Sequence, residues 1–302
     1  MKTSKYLAFL FTLLISFTFF SCETEDGDAD EQPIDLADQT RNSGLVARYA
    51  VNGNDLSLIP SGPAADGFFN QVRQNEFWNF FTNLIPADAR SVMKELELFA
   101  DPDDGTAAYV SPLNDNDLSV WEMGHNLDFV WDEDNQFVQG ESAYTSIHEV
   151  AHLLTLDNTQ VNVANGNCGT FHTGEGCSST SSYINAFFSQ FWGDIYAENQ
   201  SINPDDFDGY FDFYRKYRDQ FVSEYAATNP GEDIAESFAT YVMGDSPNGN
   251  SISAQKVRFF DGYQELVSLK QRIRANINFE VNLGSIRGVR SERFTAQTGD
   301  KF

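Results

Sequence analysis

Between residues 66 and 84, Phe68, Phe69, Val72, Phe77, Phe80, Phe81 and Leu84 recur at spacings that bring them to one side of a helix, and a second helix is expected over 87–97. The pattern then shortens. Residues 96–100, 107–110 and 118–123 are brief β-prone runs separated by turn sequences such as Asp101-Pro-Asp-Asp-Gly105, which predicts strands. Those acidic turns do not place a glycine and a following glutamate at the offsets of a calcium loop, so they read as solvated turns. Beyond residue 140 helical periods dominate, at 141–156, 182–199, 207–227, 230–243 and 253–275, with an Asn/Gly/Ser/Thr-rich loop at 158–181. Strands followed by helices imply an α+β architecture. With no repeat, linker or low-complexity break, residues 35–280 read as one domain, and 281–302 as a polar tail.

The N-terminus has a different pattern. Lys2 and Lys5 precede an apolar run over residues 7–20 that ends at Ser21-Cys22. The run is shorter than the roughly 20 residues of a spanning helix, so residues 1–21 read as a secretory signal peptide. Cys22 resembles the lipidated cysteine of bacterial lipoproteins. After it, Glu23, Glu25, Asp26, Asp28, Asp30 and Glu31 make residues 22–34 a self-repelling tether. That acidic stretch resembles the export signals of lipoproteins in the Bacteroidota. The resemblance implies an outer-membrane lipoprotein displayed on the cell surface, with a periplasm-facing orientation as the alternative.

Charge removes one class of function. The chain carries 45 acidic and 19 basic side chains, a formal net charge of −26. Nucleic-acid binding needs a basic surface to neutralise phosphates, so it is excluded. A hydrophobic content of 41%, with 14% aromatic, is ample for a packed core.

The candidate chemistry lies at Thr145-Ser-Ile-His148-Glu149-Val-Ala-His152-Leu-Leu154. Residues four apart share a helix face, so His148 and His152 can aim both imidazoles at one metal ion while Glu149 reaches a water beside it. The flanking Ile147, Val150, Ala151, Leu153 and Leu154 suit a helix buried behind such a site. A catalytic zinc takes a third protein ligand and keeps one open position. Thr155 and Asn158 stand where a metzincin carries glycine and histidine, so the third ligand comes from elsewhere. Asn229-Pro-Gly-Glu232-Asp-Ile-Ala-Glu236 supplies it. Asn229 suits a helix cap and Pro230 the first turn, and the spacing of Glu232 and Glu236 puts both carboxylates on one side. Glu232 is the expected ligand, and Glu236 the expected acceptor of the second imidazole proton of a ligating histidine. The competing reading is an acidic first turn that complements the helix dipole.

These residues resemble the gluzincin metallopeptidases, and Tyr225-Ala-Ala-Thr-Asn-Pro-Gly-Glu232 is similar to the third-ligand segment of the Mlc titration factor peptidases. With the N-terminal segment, the whole resembles the HExxH-containing zinc metallohydrolase lipoproteins of Bacteroidota. The resemblance covers residues 145–243 and the signal segment. It implies a zincin-like fold with a small mixed sheet and a mainly helical C-terminal lobe, one Zn²⁺, a peptide or protein substrate and an association with TonB-dependent nutrient import. It also implies Glu149 as general base and acid, and Tyr225 as the residue that assists the oxyanion. Packing on one face of a 207–227 helix is the plain alternative for Tyr225.

Cys168 and Cys177, nine apart in an exported chain, are expected to close the loop by a disulfide. His172, inside that loop, is polar loop content, with contact to substrate or the part of an alternative oxyanion donor as the other readings. His125 reads as an ordinary residue at the end of a strand; the alternative is an edge strand along a substrate cleft. A different class of function is kept beside the enzyme, namely a non-catalytic binding subunit of an importer with a structural or vestigial zinc site. An open cleft beside the ligands favours the enzyme, and a plugged one the binder.

Overall fold

The computed structural model describes residues 44–60, 69–101, 105–132, 134–163, 168–204 and 206–286. The signal segment, Cys22 and the acidic tether lie outside these residues, as does the end of the tail from 287 to 302.

Two strands that periodicity did not predict open the fold. β1 (Gly44–Asn52) and β2 (Asp55–Ile59) form a hairpin whose two-residue loop starts at Gly53, with φ +62°, a position that favours glycine. Helix α1 (Gln71–Leu84) follows, its first amides accepted by the side chain of Asn70. Then come β3 (Met93–Ala100), β4 (Ala108–Pro112) and β5 (Trp121–Asn126). The sheet order is β2-β1-β3-β5-β4, with β3 and β5 parallel and every other neighbour antiparallel. The sheet is mixed, with β4 as its antiparallel edge.

The two faces of the sheet follow from the alternation along β3. Met93, Leu96, Leu98 and Ala100 are buried, together with Met123 of β5 and Phe77 and Phe81 of α1. On the opposite face Arg48 meets Glu95 at 2.7 Å and Glu122 at 2.5 Å, and Tyr109 donates from its hydroxyl to Glu97 at 2.9 Å. Gly124 leaves the space that the Tyr109 ring fills.

Helix α2 (Gln139–Leu156) is buried along nearly its whole length. After it a two-stranded ribbon, β6 (Val161–Asn162) and β7 (Cys177–Ser178), lies within the expected loop, and Cys168 and Cys177 form a disulfide. Helices α3 (Tyr183–Phe191), α4 (Tyr196–Asn199), α5 (Phe207–Lys216), α6 (Pro230–Met243), α7 (Ile252–Arg258) and α8 (Gln264–Asn276) complete the described chain. Among the described residues a hydrophobic cluster runs from Val46 on β1 through Ile147 on α2 and Ile273 on α8 to Ile286. The α+β class and the mixed sheet agree with the sequence reading.

Several expectations are corrected. Residues 87–97 are not a helix: 87–90 form one 3-10 turn, 91 and 92 a turn, and 93–97 belong to β3. Ala89, Met93 and Leu96 fit a helical period, but Glu95 is needed on the far side of a sheet, beside Arg48. The long helix at 207–227 stops at Lys216, because Phe221 turns inward, extended, against Trp192 and Phe213. The helix at 182–199 breaks at Trp192-Gly193, and that at 253–275 at a 3-10 turn, Phe259–Gly262. His125 is not on an edge strand, since β5 lies between β3 and β4. The packed body also runs past residue 280: Val281 and Leu283 lie against the core and Ile286 is buried, so 281–286 are not a loose tail.

Candidate metal centre

Two buried helices bring the candidate ligands together. α2 carries His148, Glu149 and His152; α6 carries Glu232 and Glu236. The start of α6 is built as its sequence suggests: Asn229 is extended, its side-chain oxygen accepts the Glu232 amide at 3.0 Å, and Pro230 occupies the first turn. The next residue anchors the helix. Asp233 is fully buried, 2.5 Å from the equally buried Lys256 Nζ, and accepts the indole N–H of Trp192 at 2.8 Å. The Lys256 ammonium also lies 4.0 Å from the centre of the Phe221 ring. Burial pushes the Asp233 carboxyl up and the Lys256 ammonium down, each against the pull of the other.

Three donor atoms then converge. His148 Nε2 is 3.1 Å from His152 Nε2 and 3.0 Å from Glu232 Oε2, and His152 Nε2 is 3.4 Å from the same oxygen. A tetrahedral ion with bonds of about 2.0–2.1 Å has donor edges of about 3.3–3.4 Å, so these atoms form one face of such a site. His148, His152 and Glu232 thus make a group that can hold a metal ion.

The remaining contacts orient that group. His148 Nδ1 lies 2.9 Å from Glu236 Oε1, which places the imidazole proton there and leaves the Nε2 lone pair facing the other donors. Glu236 is held in turn: its Oε2 accepts from Tyr144 at 3.1 Å and from Ser223 at 2.7 Å. Among these groups alone, burial opposes charge on His148, but the hydrogen bonds and charges of Glu232 and Glu236 outweigh it and raise the imidazole to about 9. Burial likewise opposes charge on Glu232, yet the charge of His152 and the His148 hydrogen bond hold it well below the usual carboxylate range. Glu232 meets both imidazoles while it also stands in the first turn of α6, where a carboxylate complements the helix dipole.

The ligands border a cavity of about 660 Å³, lined also by Glu149, Tyr225 and His172. Tyr225 stands in a 3-10 turn, its ring centre 5.8 Å from that of His148, so it faces the site and not the flank of a long helix. His172 accepts the Gly174 amide on Nδ1 at 3.1 Å, leaving its ring proton on Nε2. His125 is elsewhere, buried with its ring centre 4.6 Å from that of Phe77; burial depresses its imidazole to about 3. The plain reading of His125 matches this placement.

Sequence reasoning missed the residues that hold Glu236. Tyr144 had a signal, since it lies four before His148 and shares its helix face. Ser223 had none, because its position depends on where α5 stops. The cavity wall formed by β4, with Ala108, Tyr109 and Val110, was also missed. No family model matches the chain, and neither a curated protein nor a solved structure does.

Proposed function

We propose that the chain is a zinc-dependent metallopeptidase of gluzincin type, a peptide amide hydrolase tethered to the outer membrane through Cys22. One observation carries the reading: His148, His152 and Glu232 converge at the wall of an open cavity that Glu149 also lines. Two nitrogens and a carboxylate oxygen form a donor set that suits zinc. The buried helix α2 beside a mixed sheet with an antiparallel edge supports a zincin-like arrangement. The N-terminal segment supports the lipid anchor and, by the resemblance it carries, a place beside a TonB-dependent importer.

Zinc, when bound, supplies a Lewis acid that polarises a carbonyl and acidifies water. The chain's own residues do the rest. Glu149 takes a proton from the attacking water and gives it to the leaving amine. Tyr225 offers a phenolic hydrogen bond to the oxygen that gains charge. Glu236, held by Tyr144 and Ser223, fixes the His148 tautomer. Just outside β4, Ala107 accepts from Asn126 of β5 and Leu113 donates to Val120, the residue before β5, so by alternation the backbone groups of Ala108 and Val110 point away from the sheet, toward an extended substrate.

Metal analysis of purified protein is expected to give one zinc per chain. Glu149→Gln is expected to keep the zinc and lower kcat/KM on a mixed peptide library by about 10²- to 10⁴-fold. Protein without zinc, or full activity in Glu149→Gln, refutes the reading.

A further inference from the structure

The cavity contains a carboxylate that the chemistry above does not use. Glu149 and Glu232 have roles there; Glu175 lines the same cavity and has none. Its Oε2 accepts no hydrogen bond among the described residues, and the side chain as a whole is partly exposed. A partly exposed carboxylate can turn an oxygen toward a donor that enters the cavity, and a hydrogen bond between charged groups is stronger than one between neutral groups.

The backbone around Glu175 is built to hold it in place. His172 bridges to Cys177, and the Thr173 amide donates to Gly176 O at 2.9 Å, closing a tight turn in which Gly174 has φ +108°. The disulfide from Cys177 to Cys168 ties this turn to its own base. Phe171 fastens it to the helical lobe, stacked on Phe188 at 4.4 Å and edge-on to Tyr196 at 5.7 Å. The described residues that line the cavity include neither lysine nor arginine.

We propose that Glu175 is a specificity determinant that receives a cationic group of the substrate, the side chain of an arginine or lysine beside the scissile bond. The inference rests on the peptidase reading above. Charge-assisted hydrogen bonds are the strong ones, and a guanidinium can meet a carboxylate with two. The same cavity offers an apolar wall from Phe171, Ile184 and Tyr196. Such a wall suits the alkyl stem of a long basic side chain, which a terminal ammonium lacks.

The test profiles cleavage of a mixed peptide library by the zinc-loaded protein, with each peptide in free and N-acetylated form. Cuts are expected to be enriched for arginine or lysine within two residues, equally in acetylated peptides. Glu175→Gln should lower the kcat/KM ratio of basic over neutral peptides by about 10- to 100-fold, and Glu175→Arg should turn the preference toward acidic ones. An unchanged ratio in Glu175→Gln overturns the proposal. So does enrichment confined to free N-termini, which assigns the cation to the terminal ammonium. If no peptide is cut, the peptidase reading fails and calorimetric titration with an arginine-containing peptide decides: binding at least ten-fold tighter to wild type than to Glu175→Gln upholds cation recognition, and equal or absent binding overturns it.

Discussion

Glu236 never reaches the three converging donor atoms, yet it governs one of them. Its Oε1 takes the proton side of His148 while two hydroxyls hold its Oε2. Glu236→Gln keeps the shape but removes the charge, and is expected to weaken zinc binding by roughly 10–100-fold in competition with a chromophoric chelator. An unchanged affinity would show that the carboxylate does not orient the ligand. His125 makes the opposite case, a titratable group far from the chemistry. The folded protein holds it neutral down to about pH 3, whereas its ordinary value is 6.5. Between those values the unfolded chain binds the additional proton, so stability falls as pH falls, by about 1.4 kcal/mol per unit. Denaturant titrations from pH 7 to 4 should show that slope reduced in His125→Phe relative to wild type; parallel slopes would contradict a buried neutral imidazole.

At the scale of elements, legibility depended on whether the deciding contacts were local. α2 and α6 were readable because their signals lie within the segment: ligand spacing, an asparagine cap, a proline in the first turn. The end of α5 was not readable, since no glycine or proline marks it and Phe221 turns inward to meet Trp192, far away in the chain. Residues 87–97 satisfied two periods at once, and the Arg48 partner that decided between them is equally remote. The β1–β2 hairpin did have a local signal, Asn52-Gly53-Asn54-Asp55, which helical periodicity nearby overshadowed. Edge strand β4 yields a prediction of its own. Val110→Pro removes an amide that points away from β5 and is expected to raise KM for peptides several-fold with little loss of stability. Tyr109→Pro removes an amide from the ladder side and should lower the melting temperature instead. A Val110→Pro protein with an unchanged KM would argue against strand addition at this edge.

For the molecule as a whole, the candidate metal ligands are positioned by contacts that contain no metal. The Asn229 cap, the buried Asp233–Lys256 pair and the hydroxyls under Glu236 each fix a part of α6, and α2 is buried along its length. Stripping the protein with a chelator is therefore expected to leave its far-ultraviolet circular dichroism intact while lowering its melting temperature. Free zinc at 100 times its Kd should restore about 2.7 kcal/mol. Collapse of the spectrum on chelation would instead mean that the ion is part of the fold, as in a zinc finger. A scaffold complete without a cation would set an order of events. If the spectrum survives chelation, the chain can fold first and acquire an ion afterwards, and the divalent metal it carries would then be decided by the surroundings in which folding finishes.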